Sequence, residues 1–322
     1  MHDQAESNYV IDELGPLLEK LKINKCLYIG SLGFEERSLA VAQLLTEKKI
    51  NAKLIFITAY SGDDKSKRHE DRKSKYEKNR KLLLKLQKKP KIIPYSIVFP
   101  DSIITEVQKK LKKSDTVIFD FSTMPKIVFF PLFKMIRNAS KSSIICVYTS
   151  PLEYTSDPLS YETAEPRIIS GFAGKSLKYD ALDVWIPILG FESNIAREIM
   201  AWGNFATVFP VIAFPGYRAH YVDRVFVSNS EILSLSQIQK IYYSSSNNPF
   251  ATKQLITNIA RNQKSNNIVL SPMGPKPHSL GVCLAALEHD LRVVYSQPWD
   301  YNPDYSSGCG TIYAYLVSGV AT

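Results

Sequence analysis

Cysteine is scarce: Cys26, Cys146, Cys283 and Cys309 are the whole complement in 322 residues, and no two form a CxxC pair. That spacing indicates neither a zinc site nor a disulfide framework. The first three lie in apolar strand or helix patterns, where a reduced thiol packs as a small hydrophobe. A long uninterrupted apolar run is also missing. The most apolar stretch, Val117 to Ile136, is broken by Asp120, Lys126 and Lys134 and by Pro125 and Pro131, so it reads as core and no membrane partner is expected. Met1 to Glu6 is polar and acidic where a secretory signal would be basic and then apolar, and a cytoplasmic protein is the expectation. The phosphate-loop pattern GxxxxGK[ST] does not occur, which argues against nucleotide hydrolysis of that kind.

What the chain does have is apolar material. Its hydrophobic content is 45%, with 18 Tyr, 15 Phe and 3 Trp, enough for one large core or two ordinary ones and too much for a disordered protein. The net charge of +9 is concentrated in one place: between Lys65 and Lys91 there are 13 Lys or Arg against 3 Asp or Glu, and the remainder of the chain sums to −1. From about Glu70 the leucines Leu82, Leu83, Leu84 and Leu86 suggest a helix with a short apolar stripe and a long charged face. Such a run is either a solvated surface or an anion-attracting flank beside a ligand mouth, a nucleic acid or an acidic partner.

Laying the second half on the first at an offset near 150 residues brings local patterns into register in the same order. Cys26-Leu-Tyr-Ile-Gly-Ser-Leu-Gly-Phe-Glu35 meets Asp183-Val-Trp-Ile-Pro-Ile-Leu-Gly-Phe-Glu192, a buried strand leading to a helix. Leu54-Ile-Phe-Ile-Thr-Ala-Tyr-Ser-Gly62 meets Val208-Phe-Pro-Val-Ile-Ala-Phe-Pro-Gly216, a second strand. Helices follow the cap residues Asp101 and Asn248. Val117-Ile-Phe-Asp-Phe-Ser-Thr-Met-Pro-Lys126 then meets Asn267-Ile-Val-Leu-Ser-Pro-Met-Gly-Pro-Lys276, and Ile144 to Pro151 meets Leu291 to Pro298. Apolar strands alternating with helices predict an α/β fold of two tandem Rossmann-like parallel-sheet units. The expected boundaries are 1–154 for the first unit with a basic helical insert at 65–91, a linker at 155–181, and 182–322 for the second. Trp299 to Gly310 reads as a loop and Thr311 to Val317 as a last strand.

Every matched motif lies at a strand's carboxyl end, the edge at which open parallel sheets bind ligands. Lys126 and Lys276 each stand in a strand-to-helix turn, where the positive helix end favours an anion, although each could equally exit to solvent. Gly274 would let a ligand approach the backbone. In Ser31-Leu-Gly-Phe-Glu-Glu-Arg-Ser38, Arg37 would fork onto a phosphate and Glu35 or Glu36 would cap a helix or act as a base. The plainer reading of Glu35 and Glu192 is helix-end electrostatics. Glu35, Lys276 and His278 are the candidate catalytic groups. A Cys309, His278 and acidic-residue arrangement can be drawn without any spacing that demands it. Tyr148, Tyr295 and Trp299 sit at strand ends, as stacking surfaces for a base or as rim packing.

The Ser/Gly turn after the first strand and the polar turn ending in Lys after a later one resemble the CRISPR-associated Rossmann-fold sensor domains. The resemblance covers most of the chain. It implies a pocket for cyclic oligoadenylate formed by Ser31, Gly33 and Arg37 with Ser122, Thr123 and Lys126, and by Gly190, Glu192, Gly274 and Lys276 in the second half. It also implies that the halves form a pseudo-dimer around the ligand. The family's Thr-Gly-Gly-Thr-Lys type of turn is replaced here by Ser-Thr-Met-Pro-Lys and Pro-Met-Gly-Pro-Lys. Since two units use nearly all of the chain, effector activity is expected from a separate protein or from the crevice itself.

Three functions compete. One is a sensor of a nucleotide or oligonucleotide second messenger, with antiviral defence as one setting for it and no cofactor required. Another is an enzyme hydrolysing or transferring on a nucleotide or phosphodiester in the same crevice. The third is a partner-binding protein that works through its basic helix.

Overall fold

The computed structural model describes residues 10–60, 67–87, 90–96, 101–111, 116–140, 143–155, 158–175 and 181–317. The chain divides into two compact units. Unit 1 comprises Met1–Met124, Leu132–Thr155 and Pro303–Thr322, and unit 2 comprises Pro125–Pro131 and Ser156–Asn302.

The chain opens with β1 (Val10–Glu13), α1 (Leu14–Lys20), β2 (Lys25–Ser31), α2 (Ala40–Glu47), β3 (Asn51–Tyr60) and α3 (Lys67–Leu86). Next come β4 (Lys91–Ser96), α4 (Ser102–Gln108), β5 (Val117–Asp120), α5 (Lys126–Ala139), β6 (Ile144–Thr149) and β7 (Glu153–Tyr154). Then follow β8 (Arg167–Ile168), β9 (Asp183–Ile188), α6 (Ser193–Trp202), β10 (Phe205–Val208), β11 (Val211–Ala213), α7 (Ala219–Ser228) and the single turn α8 (Ser230–Leu233). The remainder is β12 (Tyr242–Ser244), α9 (Pro249–Asn262), β13 (Asn267–Pro272), α10 (Lys276–His289), β14 (Arg292–Tyr295), β15 (Ser306–Ser307) and β16 (Ile312–Val317).

The sheet of unit 1 runs β4-β3-β2-β5-β6-β16-β1, with β4 through β6 parallel and the last two strands antiparallel. That of unit 2 runs β12-β11-β9-β13-β14-β8, parallel as far as β14. In unit 2, β10 also pairs parallel with β9, off this path. Counting parallel strands in order of appearance, with β10 and β11 taken as one split strand, both sheets read 3-2-1-4-5, the doubly wound arrangement. Its topological switch point falls between the first and fourth strands, β2 and β5 in one unit and β9 and β13 in the other. Continuous apolar runs build these strands because both faces are covered: every residue of β5 and β6 is buried, as is all but the first of β2. The α/β fold expected from the sequence is therefore the fold observed.

The repetition reaches hydrogen bonds that no motif announced. Tyr28 pairs with Ile118, and its hydroxyl donates to Asp120 Oδ2 at 2.9 Å. Trp185 pairs with Val269, and its Nε1 donates to Ser271 Oγ at 2.9 Å. In each sheet an aromatic of the first strand thus reaches a polar residue two places along the fourth.

Several expectations are corrected. β16 was placed within 182–322 as part of the second unit, but it pairs with β6 over six residues and lies in the first sheet, where Ala314 and Tyr315 are buried. The segment read as a linker, 155–181, contributes β8 to the edge of the second sheet. The strand expected over Val208 to Gly216 is split into β10 and β11 at Phe209-Pro210, since proline has no N–H for the ladder. The sequence reading does not contain β1, β4, β7, β12 or β15, whose signals are weak: β4 carries Lys91 and Pro94 on an edge, β1 and β12 have four and three residues, and β7 and β15 have two each. Of the two cap residues, Asn248 accepts from Phe250 N at 3.1 Å and Ala251 N at 2.9 Å, whereas the Asp101 side chain makes no cap bond. Among the described residues, no helix is long and apolar enough to cross a membrane.

The Asn248 cap has a measurable consequence. Asn248→Ala should cost about 1 kcal/mol of stability in urea denaturation, and Asn248→Asp or Asn248→Ser, which keep an accepting oxygen, should cost less.

Candidate functional site

At the switch point of unit 1, β2 ends in Ser31 and the chain turns through Leu32, Gly33 and Phe34. Thr123 Oγ1 donates to Ser31 O at 3.3 Å, joining this turn to the one after β5. Ser122 is occupied structurally: its hydroxyl donates to Asp120 Oδ1 at 2.5 Å and accepts from Thr149 N at 2.8 Å. Burial raises the pKa of Asp120, opposed by the bonds from Ser122 and Tyr28. Gly33 is different, because a Cβ built there would meet no atom of the described residues within 4 Å. Among the described residues, the space beside this turn is open.

Beyond the turn, Arg37 and Glu35 form a buried ion pair at 2.7 Å, with side chains 3% and 7% exposed. Arg37 Nη1 also donates to Thr149 O at 2.9 Å, and Ser306 Oγ donates to Glu35 Oε2 at 2.9 Å. Burial works against the guanidinium charge, but the Glu35 carboxylate holds its pKa well above the ordinary value. Arg37 therefore braces the turn from beneath, where the sequence suggested a fork onto phosphate. Glu35, already accepting from two residues, is likewise part of the frame. Tyr148 is buried, with the Arg37 guanidinium 5.7 Å from its ring centroid.

The basic helix is attached to this turn. Asn79 of α3 is buried, and its Nδ2 donates to Gly33 O at 2.9 Å and Glu35 O at 3.0 Å. Lys75, one turn earlier, donates to Pro303 O at 2.7 Å and Asp304 Oδ1 at 2.5 Å. On the carboxyl-terminal side, Tyr305 stacks on Tyr154 at 6.3 Å and meets the edge of Phe34 at 5.9 Å. All three rings are half-buried, and burial keeps the two phenols protonated.

Unit 2 repeats the scaffold and closes the opening. Asn229 Nδ2 donates to Gly190 O at 2.8 Å, the same bond to the equivalent glycine. A Cβ on Gly190, however, would lie 2.3 Å from Met273 O, and one on Gly274 would lie 3.0 Å from Leu189 O. The two turns are packed backbone against backbone, so Gly274 serves this approach and not that of a ligand. Lys276 opens α10 and is half-buried. His278 is sealed in the core: its Nε2 lies 2.9 Å from Ser245 O, and burial pushes its pKa down to about 4. A residue without solvent contact is poorly placed for acid–base exchange with a substrate.

Lys126 belongs to unit 2, where its Nζ lies 3.4 Å from Tyr295 OH and 4.8 Å from the ring centroid. Glu192 is half-buried and accepts a hydrogen bond from Ser160. The structure thus joins Ser31, Gly33, Glu35, Arg37, Ser122, Thr123 and Tyr148 in one unit, and Gly190, Glu192, Gly274, Lys126, Lys276 and Tyr295 in the other. Asn79, Asn229, Tyr305 and Ser160 were missed. Asn79 had a signal, since Tyr76, Asn79 and Leu83 are uncharged and share one face of a helix otherwise dense in lysine. Among the described residues no group of three or more His, Cys, Asp or Glu is arranged to hold a metal ion. No protein-family model matches the chain, and no curated protein sequence matches it.

Two outcomes follow from burial. Arg37→Met leaves Glu35 charged in a dry site and should destabilise unit 1 by about 3–5 kcal/mol, with part of the loss recovered on adding Glu35→Gln, as read by urea denaturation. The depressed pKa of His278 means that its neutral form supports folding above pH 6.5 and that this support is lost as pH falls through about 4. The stability difference between pH 7 and pH 4.5 should shrink by about 2–3 kcal/mol in His278→Phe.

Proposed function

We propose that the chain is a binding module for a nucleotide or oligonucleotide second messenger, held in unit 1 over the Gly33 turn at the β2/β5 switch point. The observation that carries this reading is that charge and opening coincide. The helix at the centre of the segment holding the entire positive surplus is hydrogen bonded through Asn79 to the carbonyls of Gly33 and Glu35, and Gly33 is the turn residue that has open space beside it among the described residues. A polyanion is attracted to such a mouth over a distance of about a Debye length.

The surrounding groups suit the other parts of the same ligand. Thr123 and Ser31 supply hydroxyls, and Phe34, Tyr154 and Tyr305 supply half-buried rings on which a base would stack, a contact worth about 1–3 kcal/mol per base. Glu35 and Arg37 are spent on each other and on the frame, which favours holding a ligand over transferring its protons. In the second-messenger reading the output passes to a separate effector protein, in line with the resemblance to CRISPR-associated sensor domains and a role in antiviral defence.

Calorimetric titration with mononucleotides, NAD-type cofactors and linear or cyclic oligonucleotides tests the proposal. One class should bind without turnover. Gly33→Val places methyl groups in free space and should abolish binding while leaving the melting temperature unchanged. The triple variant Lys73→Glu, Lys78→Glu, Lys81→Glu should weaken binding by roughly tenfold at low salt and less at high salt. Absence of binding in every class, or Gly33→Val binding as the parent does, would overturn it.

A further inference from the structure

Lys126 is a buried cation without a matching anion. It is 8% exposed, its hydrogen-bond partner is the Tyr295 hydroxyl at a long 3.4 Å, and it forms no ion pair among the described residues. Burying an ammonium in this way is unfavourable unless something completes its shell. The ring of Tyr295 offers partial compensation through its face. Glu192 supplies a field without a contact, and burial still pushes the Lys126 pKa down to about 8.

Two residues beyond Tyr295, Gln297 is fully buried and donates through Nε2 to Pro298 O at 2.9 Å and Tyr301 OH at 2.7 Å, while its Oε1 has no hydrogen-bond partner among the described residues. The segment read as a linker runs antiparallel to the chain beyond β14, through bridges of Thr163 with Pro298 and Ser160 with Tyr301. It thereby brings Ser160 to Glu192. Phe130, packed edge-on against Phe172 at 5.3 Å, fixes the first turns of α5 in this unit. A buried ammonium at the start of a 14-residue helix with a phenol beside it makes a pair that lacks an anion among the described residues.

We propose that Lys126, Tyr295 and the first turn of α5 form a second ligand site, in unit 2, that takes the phosphoryl group of a small phosphorylated hydroxyl compound. Lysine acts as a point charge that suits tetrahedral phosphate, where a planar carboxylate would favour the arginine fork. The helix start adds N–H groups and a positive dipole end. Glu192, whose charge reaches Lys126, is an acceptor and selects hydroxyl donors on the rest of the ligand. This site is independent of the Gly33 turn and stands whether or not a nucleotide binds there.

The test is thermal unfolding and equilibrium dialysis of the full chain with inorganic phosphate, ribose 5-phosphate and acetate. The parent should be stabilised by phosphate and more strongly by ribose 5-phosphate, but not by acetate. Lys126→Met should melt higher than the parent without ligand, because it removes an unpaired buried charge, and should bind phosphate at least tenfold more weakly. Tyr295→Phe should bind it several-fold more weakly, and Gly33→Val should bind it as the parent does. No phosphate binding by the parent, a preference for acetate, or undiminished binding in Lys126→Met would overturn the proposal. So would a lower melting temperature of Lys126→Met accompanied by unchanged phosphate affinity in Tyr295→Phe.

Discussion

Arg37 carries a permanent charge with almost no contact with water, and such a charge survives only where its donors find acceptors. Those acceptors come from separate parts of the chain. Glu35 lies on the same turn, Thr149 O ends β6, and the carboxyl-terminal segment contributes Tyr305 directly and Ser306 through Glu35. Satisfying this one guanidinium therefore fixes the turn after β2 against the end of β6. It also draws residues 303–317 into unit 1, where β16 completes the sheet. The open volume at Gly33 keeps its shape because the residues beneath it cannot move without exposing or stranding a charge.

The duplicated scaffold has been used in two ways. In both units an asparagine carried on or just after a helix satisfies the carbonyl of the turn glycine, and an aromatic of the first strand donates to the fourth. These bonds solve a shared problem, since the turn leaves the sheet with a carbonyl that no strand can pair. Above the turn the units part. Among the described residues, Gly33 faces open space, whereas Gly190 and Gly274 allow two backbones to meet. In unit 2 the buried ammonium of Lys126 lies against the Tyr295 hydroxyl and forms no ion pair among the described residues.

Much of the fold was legible because it rests on local pattern. Buried parallel strands appear as unbroken apolar runs, and the strand-end motifs recur in order, so the strands around each switch point could be placed from the sequence. Long-range partners were not legible. Nothing in Thr311 to Val317 tells an antiparallel partner in the first sheet from a place in the second, since both need the same apolar strand. Gly33 lies in the turn after β2 and Thr123 in the turn after β5, bonded to Ser31 O. The roles of Arg37 and His278 did not follow from their chemistry, because the same guanidinium or imidazole serves a ligand when exposed and a frame when buried, and burial is decided by distant residues such as Thr149 and Ser245. Lys126 shows the same limit, as its neighbour Tyr295 lies 169 residues away.

The nucleotide proposed for the Gly33 turn lies beside the basic helix. Hydrogen–deuterium exchange of the full chain, with and without the nucleotide or oligonucleotide class that binds, tests that placement most directly by locating the ligand. The account predicts slowed exchange in the segments 31–38, 120–124 and 72–80, with the segment 186–192 unchanged. Protection confined to unit 2, or none in 31–38, would contradict it.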